Sequence, residues 1–159
     1  MHALHEKGIP AMGLDISYAM IQQAKTLYPH RYIHGDALSM PLFFPDTFTH
    51  ITCFYYTFYY LKHKDQFFQN VYSWLQPNGK LILQLHDSFQ IGPSTMISPS
   101  MKYKGRHMKD RYIETITTTK VRRNEHKFYI EDVSFIVELA NNCGFILLSN
   151  SNNIYIFQK

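Results

Sequence analysis

The sequence has only two cysteines in 159 residues, Cys53 and Cys143, which lie 90 positions apart and form no CxxC pair. That excludes a zinc ribbon or a disulfide framework and fits a reduced, intracellular (cytoplasmic) setting. Long apolar runs are lacking too. The longest, Ile51 to Leu61, has 11 residues and includes Thr52 and Thr57, whereas a membrane-spanning helix needs roughly 18 or more. No membrane partner is expected. No charged-then-apolar leader stands at the N-terminus, which argues against a signal peptide. Glycine is sparse as well, at seven residues, and no two are closer than five positions. A GxGxG loop, which lets backbone approach a bound nucleotide closely, is therefore missing.

Aromatics, by contrast, are abundant: 12 Phe, 12 Tyr and one Trp. With 45% apolar and 18% charged residues, the composition is that of one globular domain with a sizeable core. The net charge of +4 is unevenly placed. Residues 1–100 balance six Lys/Arg against six Asp/Glu, while residues 101–127 carry nine Lys/Arg against Asp110, Glu114 and Glu125. One segment thus supplies the whole positive excess.

Periodicity and turn residues predict an alternating order. A short helix ends at Gly8, with Pro10 beyond it. An apolar strand over 11–17 ends in Asp15, and Ser17 caps a helix that closes near Tyr28-Pro29. A second strand, Arg31 to Gly35, leads into Asp36, and a loop marked by Pro41 and Pro45 follows. His50 to Tyr55 reads as a buried strand, and Asp65 as the cap of a helix burying Phe68, Val71, Tyr72 and Leu75. After a Pro77-Asn78-Gly79 turn comes the strand Lys80 to Leu85. Such alternation implies an α/β fold with a mostly parallel sheet.

Residues 88–110 read as loop. The β-branched stretch 115–121 is expected to pair with Lys127–Ile130 across Arg123-Asn124-Glu125, so that 88–130 forms a loop or antiparallel insertion within a single domain, 1–159. Glu131-Asp132 opens a helix that Gly144 ends. Phe145–Leu148 and Ile154–Phe157 then form an antiparallel hairpin.

In an open α/β sheet ligands bind beyond the carboxyl ends of the strands. Asp15 stands there, where a carboxylate can accept both hydroxyls of a ribose, and Asp36 stands at the end of the next strand, where it can accept from an exocyclic amine. Two acids at consecutive strand ends favour an adenosine ligand over solvated surface.

GLDIS with Met20 and Ala24, GDAL (35–38) followed by Pro41, PDTFTHITC (45–53) and LQPNGKLIL (75–83) together resemble the class I S-adenosylmethionine-dependent methyltransferases, as does the later stretch 124–145 ending in Gly-Phe. The resemblance implies a Rossmann-like sheet with S-adenosyl-L-methionine as cofactor. It implies that Asp15 holds the ribose, Ile16 and Met20 flank the adenine, Asp36 and Ala37 meet its edge, and Cys53 and Phe54 line the methionine side. It also exposes a departure: the family's first strand and glycine-rich loop are missing. That strand lies between the strand ending at Asp15 and the one beginning near His50. Either those two close on each other, or a partner chain or upstream residues fill the gap. An N-terminally truncated chain of doubtful activity is the reading this favours.

Methyl transfer from a sulfonium asks mainly for alignment and removal of a proton. FYYTFYYL (54–61) follows a strand end where the family's acceptor pocket begins, and Tyr55 and Tyr59 are the candidates to face it. His86, next to Asp87, is a candidate base, although a structural histidine is the commoner case. His2 and His5, or His30 and His34, give no convincing metal spacing, so no metal is assigned. The basic segment, with Tyr103, Tyr112 and Phe128, could hold an RNA backbone and a stacked base or attract an acidic small molecule; solvated charges on an insertion are the plain alternative. The expected acceptor is a small molecule or RNA. Two other readings remain at this level: a non-catalytic remnant serving as an interaction or regulatory module, and a dinucleotide-dependent oxidoreductase, which the second Asp disfavours.

Overall fold

The computed structural model describes residues 1–86, 95–98, 100–108 and 111–159. Helix α1 (His2–Glu6) ends at Gly8, whose φ of +71° is the left-handed conformation that glycine adopts without a Cβ penalty. Strand β1 (Met12–Asp15) leads through Ser17, whose hydroxyl accepts the Met20 N–H at 3.4 Å, into α2 (Tyr18–Leu27). β2 (Arg31–His34) returns parallel to β1 with Asp15 opposite His34. This unit is lightly packed: Ile21 is its one buried apolar side chain among the described residues.

The main sheet combines β3 (Phe48–Cys53), β4 (Leu75–Gln84), β9 (Ile146–Ser151) and β10 (Ile154–Gln158) in the order β3-β4-β10-β9. β3 and β4 are parallel, while β10 runs antiparallel to both its neighbours. The expected Pro77-Asn78-Gly79 turn is a bulge inside β4: Phe48 pairs with Leu75 and His50 with Lys80, and Asn78 takes a φ of +64°. The last hairpin turns on Asn152 and Asn153 alone, both at positive φ, as a tight hairpin turn requires.

Helices α3 (Lys64–Trp74) and α4 (Val133–Asn142) pack together against this sheet. α3 begins one residue before Asp65, with His63 at the cap position, and the Lys64 side chain in its first turn is buried. Phe58, Phe68, Val71, Leu81, Leu83, Ile136 and Phe157 are fully buried between these layers. Each such large side chain contributes on the order of 1.5–3 kcal/mol.

β1 and β3 do not close on each other. β1 pairs with β2 and β3 with β4, so among the described residues each keeps one edge without a ladder partner. The β1–β2 unit is joined to the core through the loop that follows it. Asn70 donates to the Ala37 carbonyl at 2.9 Å, Trp74 donates to that of Met40 at 3.2 Å, and Leu38, Leu42 and Phe43 pack against the core.

A third sheet is wholly antiparallel: β5 (Thr95–Ile97), β6 (Lys102–Met108), β7 (Arg111–Thr117) and β8 (Val121–Lys127) in sequential order. The sequence reading placed loop over 88–110 and a turn at 123–125. Instead β6 is a full strand, and the hairpin turns at 118–120 with Thr117 opposite Val121. Charged residues alternate along β6 with Tyr103 and Gly105, and that period of two was masked by the lack of β-branched residues. Tyr103, Tyr112 and Phe128 point inward: the Tyr103 and Tyr112 hydroxyls lie 2.8 Å apart, and Phe128 is buried against Tyr60. They are therefore not placed to stack a base.

Lys64 joins these parts. Its ammonium is buried, donates to the carbonyls of Leu61 at 2.9 Å and Tyr129 at 2.6 Å, and lies 2.6 Å from the Glu131 carboxylate. Burial holds its pKa below the usual lysine value, and Glu131 works in the opposite direction. Glu131→Gln removes the counter-charge and will lower the unfolding free energy by roughly 1–3 kcal/mol at neutral pH. Because the unfolded chain binds the Lys64 proton more readily than the folded one, the deficit should shrink as pH rises towards 10.5, the ordinary lysine value. Denaturant melts of both proteins from pH 7 to pH 10 check the size and the trend.

Candidate active site

Asp15 closes β1 with one carboxylate oxygen accepting the Ser17 N–H at 2.7 Å. Its other oxygen has no partner among the described residues. The Gly35 N–H donates to the Asp15 carbonyl at 3.0 Å, tying the start of the next loop to the end of β1. Asp36 then turns the chain by accepting the Leu38 N–H at 2.9 Å. Beside these acids Ile16 and Met20 are 68% and 54% exposed, an apolar surface with nothing covering it. A hollow of about 160 Å³ lies between β1, β2 and α2, lined by Leu14, Asp15, Met20, Ile21 and Tyr32. It is smaller than the roughly 300–1,000 Å³ of enclosed ligand sites.

Beyond β3 the aromatic segment divides. Tyr55 is 78% exposed at a φ of +56°, a strained conformation for a bulky residue, and its N–H donates to the Gln84 side-chain carbonyl at 2.8 Å. Tyr59 does not face an open pocket. Its ring is fully buried, and its hydroxyl accepts the His86 N–H at 2.8 Å, because the 3-10 turn over Thr57–Tyr60 aims it into the core. Phe54 is exposed. The Cys53 side chain belongs to the core cluster, where burial pushes its thiol up to about 12, so it is no nucleophile at neutral pH.

The His86 ring stacks on Tyr56, centroids 5.3 Å apart, with Nδ1 3.4 Å from the Asn153 side-chain nitrogen. Asp87 lies outside the described residues. His2 Nδ1 and His30 Nε2 stand 3.2 Å apart and His5 stacks on His30, but no group of three metal-binding side chains forms among the described residues.

The carboxyl ends of β1, β2, β3 and β4 thus carry Asp15, Asp36, Phe54 and His86, the ligand-binding side of an open α/β sheet. That arrangement is the fold of S-adenosylmethionine-dependent methyltransferases. Residues 1–83 match the family model described as a methyltransferase domain, and the chain belongs to that family, of the class I type, whose cofactor is S-adenosylmethionine. The CcbJ methyltransferase from Streptomyces caelestis superposes with a TM-score of 0.80 at 11% identity, over 98% of this chain and 77% of that one. An S-adenosylmethionine-dependent methyltransferase from Clostridium acetobutylicum gives 0.72 at 15% identity, over 92% and 74%. An amino pentose methyltransferase from Micromonospora echinaspora, solved with the cofactor bound, gives 0.71 at 14%, over 99% and 77%. No curated protein matches the sequence significantly. Among the described residues no helix is long and apolar enough to cross a membrane.

The residues present suit the adenosine end of the cofactor: a carboxylate with one oxygen unpartnered among the described residues lies beside exposed apolar side chains. Two supporting residues escaped the sequence reading. Gln84 holds the strained Tyr55 backbone, and nothing in its strand position marks it. Asn70 did carry a signal, being a polar residue among Phe67, Phe68, Val71 and Trp74 on the apolar face of α3. Asn70→Leu strands the Ala37 carbonyl and should cost about 1–3 kcal/mol, read from thermal or denaturant melts. In the native protein Cys53 should resist alkylation at pH 8 and react only on unfolding, which mass spectrometry of the labelled chain will show.

Proposed function

We propose that this chain holds S-adenosyl-L-methionine at the carboxyl ends of β1, β2 and β3 and transfers its methyl group to an acceptor, a small molecule or RNA. The carrying observation is the pair of acids at adjacent strand ends, Asp15 and Asp36, beside the uncovered Ile16 and Met20. Asp15 accepts the ribose hydroxyls, Ile16 and Met20 flank the adenine, and Asp36 with Ala37 meets its edge. Phe54 lines the methionine side, with Cys53 contributing there through its backbone.

When bound, the sulfonium supplies an activated methyl group, so the chain's task is to position the acceptor and accept its proton. Tyr55, exposed and held by Gln84, is the candidate for orientation, and the His86 imidazole is the candidate base. Residues 1–159 act as one domain with 88–130 as an insertion. A strand from a partner chain or from upstream residues would lie between β1 and β3 and complete the sheet. The open edges of β1 and β3 favour one second reading, a non-catalytic module that keeps the nucleoside half-site.

Calorimetric titration with S-adenosylmethionine and its demethylated product should show binding, and Asp15→Ala should weaken it roughly 10–100-fold. Absence of heat at millimolar ligand overturns the reading, and unchanged affinity in the variant overturns the role of Asp15. Methyl transfer from labelled donor to RNA or small-molecule mixtures separates enzyme from module.

A further inference from the structure

The antiparallel sheet is two-faced. Residues directly opposite in an antiparallel pair share a face, and alternate residues along a strand do too. The pairings Lys102–Thr117, Lys104–Thr115, Arg106–Ile113 and Met108–Arg111 between β6 and β7, continued by Thr115–Arg123 and Arg111–Lys127 to β8, therefore define one face. It carries Lys102, Lys104, Arg106, Arg111, Arg123 and Lys127, all exposed, and among the described residues the single carboxylate of Glu125. The other face carries Tyr103, Gly105, Tyr112 and His126 and packs inward, with the Tyr60 hydroxyl 2.7 Å from His126 Nδ1. Alternation thus places six of the insertion's cations on its outward side, while Arg122, opposite Ile116, belongs to the other face and is exposed.

Four of the six charges there have no carboxylate partner among the described residues. Arg111 meets Glu125 at 2.7 Å, whereas Lys102, Lys104, Arg106 and Arg123 lie near no carboxylate among the described residues. Arg111 and Lys127 stand directly opposite each other, an arrangement that disfavours the free sheet. The row Lys102, Lys104, Arg106 spans about 13 Å, and neighbouring strands are roughly 4.8 Å apart. One small acid would touch one or two of these groups, but a chain of phosphates can engage them all. Among the described residues of its strands the face carries no aromatic side chain. Thr115 and Thr117 stand beside the cations, with hydroxyls suited to a ribose 2′-OH.

We propose that this outward face binds the sugar-phosphate backbone of single-stranded RNA, with little sequence preference. The site is separate from the carboxyl ends of β1–β4 and does not rest on methyl transfer. Its anchor to the rest of the protein is the inward face, through Tyr60 and Phe128.

The test is fluorescence anisotropy of a labelled 20-residue oligouridylate with the full chain from 50 to 300 mM salt. Four to five phosphates neutralised predict that log K falls with log salt at a slope of about −3. The triple variant K104E/R106E/R123E should weaken binding at least tenfold at 50 mM and flatten the slope by about 2, while Lys25→Glu on α2 should change neither. Circular dichroism confirms folding. Should the triple variant fail to fold, K104Q/R123Q must reduce both affinity and slope. Any of four results overturns the proposal: no binding at 50 mM salt, variant binding equal to the parent's, equal or tighter binding of the matching deoxyribo-oligomer, or preferential binding to phosphatidylserine vesicles. Calorimetry with S-adenosylmethionine is a separate measurement, so failure here leaves the cofactor reading standing, and the reverse also holds.

Discussion

The buried ammonium of Lys64 is the contact on which the rest depends. A lone charge in that position would be strongly unfavourable. It is stable because three acceptors from three places in the chain converge on it: Leu61 after the aromatic segment, Tyr129 at the return from the insertion, and Glu131 before α4. The contact thereby sets where the antiparallel sheet leaves and rejoins the core. The Tyr129 N–H donating to the Tyr59 carbonyl at 2.8 Å reinforces the same junction. The His86 ring connects to this region through Tyr56, whose ring lies 6.1 Å from that of Phe128.

Packing is uneven across the protein, and function follows that division. The β3-β4-β10-β9 sheet with α3 and α4 holds nearly all the fully buried side chains, whereas the β1–β2 unit rests on Ile21 and a few loop contacts. The residues proposed to face the nucleoside sit on the lightly packed half, with Asn70 and Trp74 as the bolts between halves. Elements of low local stability are the ones that ligands order most readily. The basic sheet forms a third region, whose inward face is fixed by aromatics and whose outward face is left to solvent.

Much of this was legible in the sequence wherever the signal is local. Gly8, Ser17, Gly144 and the Asn152-Asn153 turn depend on backbone conformations that few residues adopt or on a hydroxyl cap, so they can be read from residue type. Asp15 and Asp36 were legible because strand ends are marked by a change from apolar to polar residues. Tyr59 was misread because a 3-10 turn rotates successive side chains differently from a strand or an α-helix, and one residue's offset moves a ring from surface to core. β6 was missed because its charges alternate with Tyr103 and Gly105 and not with branched apolar residues. The turn at 118–120 lay hidden in a run of threonines that reads as strand throughout.

The sequence by itself determined the methyltransferase family, the order of elements through residue 85, the two strand-end acids and the confinement of positive charge to one segment. These depend on residue identity and short spacing. Only the tertiary structure decided that β1 and β3 keep open edges, that Lys64 is a buried hub, that Tyr55 is presented while Tyr59 is buried, and that six cations share one outward face. Each of these depends on which distant residues meet across a sheet or a helix interface, and pairing at such range leaves no periodic trace in the chain.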